Sequence, residues 1–212
     1  MTAKAPERAI LTAVGAMTLV VVASNVLVQY PVAFRVGALD LAEILTWGAF
    51  TYPVAFLVTD LTNRWFGVAT ARNVVLAGFA VAIVLSAFLS TPRIALASAT
   101  AYLVGQMADV LLFDRLRRVR AWWEAPLVAS ASGSVLDTLV FFTLAFAPAL
   151  SGLLGAGDAF AAESAPAFGL LAVEVPRWMS WAAADFSVKM LFAALLLAPY
   201  RGLMNRVVPY PA

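Results

Sequence analysis

The 212-residue chain contains neither cysteine nor histidine, and only 12% of its residues are charged. Without these two residue types, disulfides, Cys/His zinc sites, His-ligated haem and Ser-His or Cys-His catalytic pairs are excluded. A soluble domain carries about 25% charged residues, whereas this chain is 63% hydrophobic with a mean hydropathy of +0.91. The composition therefore predicts an integral membrane protein that forms one domain over residues 1–212.

Six apolar runs are long enough to cross a bilayer, because a helix that rises about 1.5 Å per residue spans about 30 Å of hydrocarbon in about 20 residues. They are rich in Ala and Leu and lack the alternation of membrane β-barrel strands. We predict an all-α fold, a polytopic bundle of six transmembrane helices. The predicted helices cover residues 10–29, 41–60, 72–90, 94–113, 126–148 and 178–198.

Basic residues predict how the chain is oriented. In a six-helix topology only Arg35, Arg93 and Arg177 fall on one side, Lys189 lies inside the last helix, and the other Lys and Arg residues share the opposite side. Cytoplasmic loops carry the excess of positive charge, so both termini are predicted to be cytoplasmic. The pI is about 9.2, but the net charge is only +2. The basic residues are explained by this topology, and no nucleic-acid partner is expected.

Five ionisable side chains lie within or at the edge of the apolar runs: Asp60, Asp109, Asp137, Asp185 and Lys189. A charge at mid-bilayer costs about 2.5 to 3.5 kcal/mol on insertion scales, so such residues normally face a protein interior or a watery cavity. Asp185 and Lys189 are one helical turn apart, and Asp137 lies at a similar depth. Two interpretations stay open: a buried ion pair between the last two helices, or a site that handles substrate or protons.

Polar residues in the fourth and fifth helices share one spacing. Gln106 and Asp109, like Ser134 and Asp137, are three residues apart, which places each pair on one helical face. Asp60 and Asp109 are near the predicted cytoplasmic helix ends, where nearby arginines offer the alternative of an interfacial ion pair. Each helix therefore presents a polar stripe to a neighbour or to a cavity.

Glu43 begins the second predicted helix and is followed by aromatic residues. An acid in a first turn complements the helix dipole, and aromatics near an interface can be anchors. Alternatively, the aromatic face stacks a planar heterocycle while the carboxylate accepts hydrogen bonds from ring N–H and amino groups, as acidic residues do with nucleobases. The aromatic residues are Trp47, Phe50, Tyr52 and Phe56.

A distinctive segment runs from Tyr52 to Asn63 and contains the motif Thr59-Asp60-Leu61-x-Asn63. Further matching positions are Gly67, Ala71, Arg72, Tyr102, Gln106, Asp109, Asp137, Thr138, Phe141, Asp185, Lys189, Pro199 and Tyr200. Over about residues 10–201 the chain resembles the queuosine precursor transporters, also called the vitamin uptake transporter family.

The resemblance implies six membrane helices in the bacterial inner membrane and uptake of 7-deazaguanine precursors of the tRNA nucleoside queuosine, such as 7-cyano-7-deazaguanine or 7-aminomethyl-7-deazaguanine. It implies a transporter without cofactor, metal site or catalytic residues. We expect a secondary importer in which a carboxylate holds the amino edge of the base, and Lys189 or Gln106 its carbonyl oxygen. The expected substrate-binding residues are Glu43, Trp47, Phe50, Tyr52, Phe56, Gln106, Asp109, Ser134, Asp137, Asp185 and Lys189, and the family-motif residues are Thr59, Asp60 and Asn63.

Three alternatives stay open from the sequence. The chain could be the substrate-binding subunit of an energy-coupling-factor vitamin transporter, an intramembrane enzyme built on Asp60 and Asp109, or a structural subunit whose charges lock helices together. Burial favours the neutral form of a carboxylic acid, which would permit proton coupling, although facilitated diffusion with metabolic trapping needs none. A homo-oligomer is also compatible with the sequence.

Overall fold

The computed structural model describes residues 7–206, and most of them are helical. Within this range five helical segments are long and apolar enough to cross a membrane: Glu7–Leu27, Gly48–Leu89, Pro92–Leu116, Glu124–Phe146 and Arg177–Leu203. The predicted polytopic all-α architecture is thereby confirmed. The helices are α1 (Glu7–Leu27), α2 (Gly48–Thr51), α3 (Val54–Leu89), α4 (Pro92–Leu116), α5 (Glu124–Phe146), α6 (Ser151–Leu154), α7 (Ala159–Ala162), α8 (Arg177–Leu195) and α9 (Leu197–Leu203).

Helix α3 is interrupted at Gly67, whose φ of 81° and ψ of 169° are not helical. Glycine adopts a positive φ without the steric cost that other residues incur. In a straight helix Tyr52 and Val75 would be about 35 Å apart. Instead the Tyr102 ring lies 6.3 Å from that of Tyr52, and its hydroxyl donates to the Val75 carbonyl at 3.3 Å. The two halves of α3 therefore lie side by side.

Prolines and a cap set the ends of the central helices. The Thr91 hydroxyl accepts from the Ile94 N–H at 3.3 Å, and Pro92 occupies the first turn of α4, where its missing N–H is not needed. Helix α5 stops at Phe146 because Ala147, which precedes Pro148, is extended with ψ of 122°. Consequently α3 and α4 are joined by a very short link, as the sequence predicts.

Helices α4 and α5 approach each other closely at two glycines. A Cβ atom added at Gly105 would lie 2.9 Å from Asp137 Cβ and 2.9 Å from the Gly133 carbonyl oxygen. One added at Gly133 would lie 2.8 Å from the Gly105 carbonyl oxygen and 2.8 Å from Phe56 Cε1. Small residues allow this approach of backbones in a membrane, and it brings Asp109 and Asp137 to the α4–α5 interface.

We expect Gly133→Ala to lower the free energy of unfolding by about 1 to 3 kcal/mol, the usual cost of overpacking a tight core. The measurement is thermal or denaturant unfolding in detergent. Gly15→Ala in α1 is the matched control, because nothing lies within 4 Å of a Cβ atom at that helical position. Equal stability of the two variants would contradict the close packing of α4 and α5.

The connections at one end of the bundle form small structures of their own. Two antiparallel hairpins lie there, β1 (Arg35–Val36) with β2 (Leu39–Asp40) and β3 (Ser164–Pro166) with β4 (Glu174–Pro176). The second predicted helix differs from the structure: Leu41–Glu43 is a 3-10 turn, and helix begins at Gly48. The reason is local, since the Asp40 carboxylate accepts from the Ala42 N–H at 3.1 Å.

Arg93, expected in a loop, is buried with 6% exposure. Its guanidinium donates to the carbonyls of Leu144 at 2.8 Å, Ala147 at 2.7 Å and Gly155 at 2.9 Å. These include carbonyls at the C-terminal end of α5, which have no partner within their own helix. Arg93 therefore fastens α4 to the end of α5 and to the connection that follows it.

Candidate functional site

A cavity of about 650 Å³ opens between α1, α3, α4, α5 and α8, within the volume range of small-molecule sites. Gln29, Glu43, Ser90 and Thr91 line it near the connections described above. Five aromatic residues contribute to its walls, namely Tyr102, Phe141, Phe142, Phe146 and Trp181. Its deep part is lined by Tyr52, Asp137, Asp185 and Lys189.

The charged residues of this deep part form a compact network around Lys189, which is only 4% exposed. Its Nζ lies 2.6 Å from Asp137 Oδ2, 2.5 Å from Asp185 Oδ2 and 3.1 Å from Thr138 Oγ1. The Thr138 hydroxyl donates to Asp185 Oδ2 at 3.0 Å, and the Tyr52 hydroxyl donates to Asp137 Oδ1 at 2.9 Å. The ammonium thus has all three of its donors engaged.

The two carboxylates of this network differ in what they can still bind. Both oxygens of Asp137 already accept hydrogen bonds, from Tyr52 and from Lys189. Asp185 Oδ1 accepts none from any residue between 7 and 206, and the Asp185 side chain is 16% exposed against 8% for Asp137. Asp185 therefore presents a carboxylate oxygen to the cavity, whereas Asp137 is held by the protein.

A second polar layer, made of Thr59, Asp60, Gln106, Asp109 and Ser130, lies away from the cavity wall and is buried. The Thr59 hydroxyl lies 3.2 Å from Gln106 Oε1 and 3.2 Å from Asp109 Oδ2, and the Ser130 hydroxyl lies 3.4 Å from Asp60 Oδ2 and from Asp109 Oδ1. We call these five residues the inner layer.

The family-motif residue Asn63 adjoins this layer on α3. Its Nδ2 donates to the Val110 carbonyl of α4 at 2.8 Å, and the side chain is fully buried. Thr59, Asp60 and Asn63 thus all face α4 or α5. The motif lies at a helix interface rather than at the cavity.

The predicted binding residues are divided by the structure. Glu43, Tyr52, Asp137, Asp185 and Lys189 line the cavity. The others lie elsewhere: Gln106 and Asp109 in the inner layer, Ser134 and Phe56 at a small gap next to it, and Trp47 and Phe50 beside Phe192.

Trp47 and Phe50 contact each other, with ring centroids 5.6 Å apart, and Phe50 meets Phe192 at 6.0 Å. Trp47 is 47% exposed. This pair suits an anchoring position, which was the alternative interpretation of the aromatic run. Tyr52 is the member of that run that lines the cavity.

Sequence reasoning missed Asn25 as a lining residue. Asn25 lies in α1, and its Oδ1 accepts from the Ser86 hydroxyl of α3 at 3.0 Å. An amide within an apolar run is the signal that could have identified it, because buried amides need partners. The aromatic wall formed by Phe141 and Trp181 carried no comparable signal, since aromatic residues are frequent throughout the chain.

Comparison with known proteins identifies the family. The profile described as "Putative vitamin uptake transporter" matches residues 46–91 and 84–203. The chain belongs to this family. The resemblance seen in the segment from Tyr52 to Asn63 is thereby confirmed, and the enzyme alternative is excluded because this is a family of transporters.

Two relatives of this vitamin uptake transporter family member are named as transporters of queuosine precursors. The "Queuosine precursor transporter" of Escherichia coli (strain K12) is 35% identical over 88% of this chain and 81% of its own length. The "Probable queuosine precursor transporter" of Haemophilus influenzae (strain ATCC 51907 / DSM 11121 / KW20 / Rd) is 31% identical over 89% and 83%. None of the solved structures matches the chain significantly. Family and apolar helices together make it a multi-pass protein of the bacterial inner membrane.

Proposed function

We propose that this chain imports queuosine precursors, namely 7-deazaguanine bases such as 7-cyano-7-deazaguanine, as a secondary transporter. Its relatives are named for queuosine precursor transport. The observation that carries the proposal is the cavity of about 650 Å³, which has aromatic walls and ends at Asp137, Asp185 and Lys189. Such a cavity suits a flat, hydrogen-bonding heterocycle.

The proposed topology has six membrane crossings. The segment Gly48–Leu89 is 42 residues long, which is enough for two crossings. The chain breaks at Gly67, and the halves before and after this glycine lie next to each other. The excess of basic residues then supports cytoplasmic termini. Ser90 and Thr91 of the cavity lie at the start of α4, whereas Arg115 lies in its last turn, so the cavity opens to the outer side.

Recognition of the base follows from the groups on the cavity wall. The ring N–H and exocyclic amino group of a deazaguanine form a pair of donors that suits a carboxylate. Asp185 Oδ1 accepts no hydrogen bond from the described part of the chain and lies at the cavity. Phe141 and Trp181 are only partly buried and offer aromatic surface on which the ring stacks. Lys189 supplies a cation for the carbonyl oxygen once the base displaces one of its present partners. Glu43, at the mouth, attracts the donor edge.

The proposal is tested in a bacterial strain that cannot synthesise queuosine precursors and lacks its own importer. Expression of this chain, with 7-cyano-7-deazaguanine in the medium, is expected to restore queuosine in tRNA, measured by mass spectrometry of nucleosides. Cells with an empty vector are the control. Unmodified tRNA in cells that hold the folded protein in the membrane would contradict the proposal. Copurification of an ATPase module would show an energy-coupling-factor transporter instead of a secondary transporter.

A further inference from the structure

The inner layer contains two acids that form no salt bridge with any residue between 7 and 206. Asp60 is 2% exposed and Asp109 is 0% exposed. Their carboxyl groups are within hydrogen-bonding reach of each other. Among the salt bridges formed by residues 7–206, neither acid takes part, whereas Asp137 and Asp185 both pair with Lys189. The two polar layers of the bundle thus differ in their charge balance.

Two buried polar atoms of the inner layer have no hydrogen-bond partner among residues 7–206, Asp60 Oδ1 and Gln106 Nε2. An unpartnered buried oxygen is costly, and it calls for a ligand or a proton. Asp60 also lines a gap of about 10 Å³, together with Ser130, Ser134 and Lys189. The gap is about the size of one water molecule. Lys189 lines both this gap and the cavity.

We propose that Asp60 and Asp109 together hold the proton that this transporter moves with its substrate, an assignment that rests on the proposed import function. Two adjacent carboxylates in a low-dielectric interior without a cation cannot both be ionised, so the pair retains a proton. Ser130, within reach of both acids, keeps them together in either protonation state.

The charged and titratable groups around the pair differ on its two sides. Toward the cavity lie Lys189 of α8, with Asp137 and Tyr52. On the other side Tyr200 of α9 interacts electrostatically with Asp60, and also with Arg64 and Arg117. A proton reaches the pair from the cavity through the gap beside Lys189, and the positive charge beyond Tyr200 favours its departure toward the cytoplasm.

Proton rather than metal-ion coupling follows from the room available. A sodium or calcium ion needs several oxygen ligands and space for its own volume, whereas the gap beside Asp60 holds about one water molecule. A proton needs only a carboxylate oxygen, and Asp60 Oδ1 has no hydrogen-bond partner within the range that the structure describes.

The test uses the purified full chain in liposomes and labelled 7-cyano-7-deazaguanine. Exchange without a gradient measures binding and translocation, and accumulation under an inside-alkaline gradient of one pH unit measures coupling, up to about tenfold for one proton per substrate. Asp60→Asn and Asp109→Asn are expected to retain exchange and lose gradient-driven accumulation. Asp158→Asn removes a carboxylate that caps α7 in the outer connection, and it should change neither measurement.

Several outcomes would overturn the assignment while import itself stands. In the first, the parent protein exchanges substrate but does not respond to the pH gradient. In the second, its accumulation responds to a sodium gradient instead. In the third, both asparagine variants still accumulate substrate under the pH gradient. If both variants lose exchange as well as accumulation, the pair belongs to the substrate path. Absence of both binding and exchange in the parent protein would overturn the import function as well.

Discussion

Replacing Asp185 by asparagine is expected to reduce 7-deazaguanine uptake by about 10- to 150-fold, which corresponds to the loss of a hydrogen bond to a charged group. Asp185 Oδ1 is the oxygen of the charged network that faces the cavity without a partner among the described residues. The amide of asparagine carries no charge and accepts through only one atom. Initial uptake rates and equilibrium binding to the purified protein measure the effect.

The fold should survive this substitution, because Lys189 keeps Asp137 at 2.6 Å and Thr138 at 3.1 Å. The melting temperature in detergent tests this. Asp158→Asn is the control, since asparagine caps a helix about as well as aspartate and the position lies outside the cavity. Unchanged uptake in Asp185→Asn, or a collapse of thermal stability, would show that Asp185 serves only as part of an interhelical lock.

The long helices were predictable from the sequence because the bilayer imposes their length and leaves no other way to satisfy the backbone. Residues 94–113 were predicted as helix, and α4 covers Pro92–Leu116. The cap at Thr91 and the proline beside it explain the earlier start.

The structure of the connections was not predictable in the same way, because segments outside the hydrocarbon are free of that length rule. Residues 149–177 lie between the last two predicted helices, and they contain α6, α7 and the β3–β4 hairpin. Similarly, the whole of residues 61–71 was left between two predicted helices, whereas the break is concentrated at Gly67. A hydropathy pattern does not predict that one residue adopts a positive φ.

The charged residues of the site were recognised because an isolated charge is too costly in a membrane interior, and the pairing of Lys189 with Asp137 and Asp185 agrees with that argument. Their separation into two layers was not predictable. The shared spacing of Gln106 and Asp109 with Ser134 and Asp137 defines a helical face, but neither the depth of that face nor the residues opposite it. The glycine contact between α4 and α5 determines both.

Lys189→Met is expected to lower the free energy of unfolding by about 3 to 5 kcal/mol, the usual effect of removing one partner of a buried ion pair. It leaves Asp137 and Asp185 close together without a cation. Uptake should be lost as well, since the same ammonium orders both carboxylates. Thermal or denaturant unfolding in detergent and uptake in cells are the two measurements.

The double variant Asp137→Asn/Lys189→Met separates the two roles of Lys189. It removes one negative and one positive charge, so the network keeps the net charge of the parent protein, and Tyr52 can still donate to the asparagine oxygen. We expect it to regain much of the stability that Lys189→Met loses, while uptake stays absent because the cation for the substrate is missing. If the double variant regains uptake as well as stability, Lys189 acts only as a structural lock. If the double variant is no more stable than Lys189→Met, charge imbalance is not what destabilises the single variant.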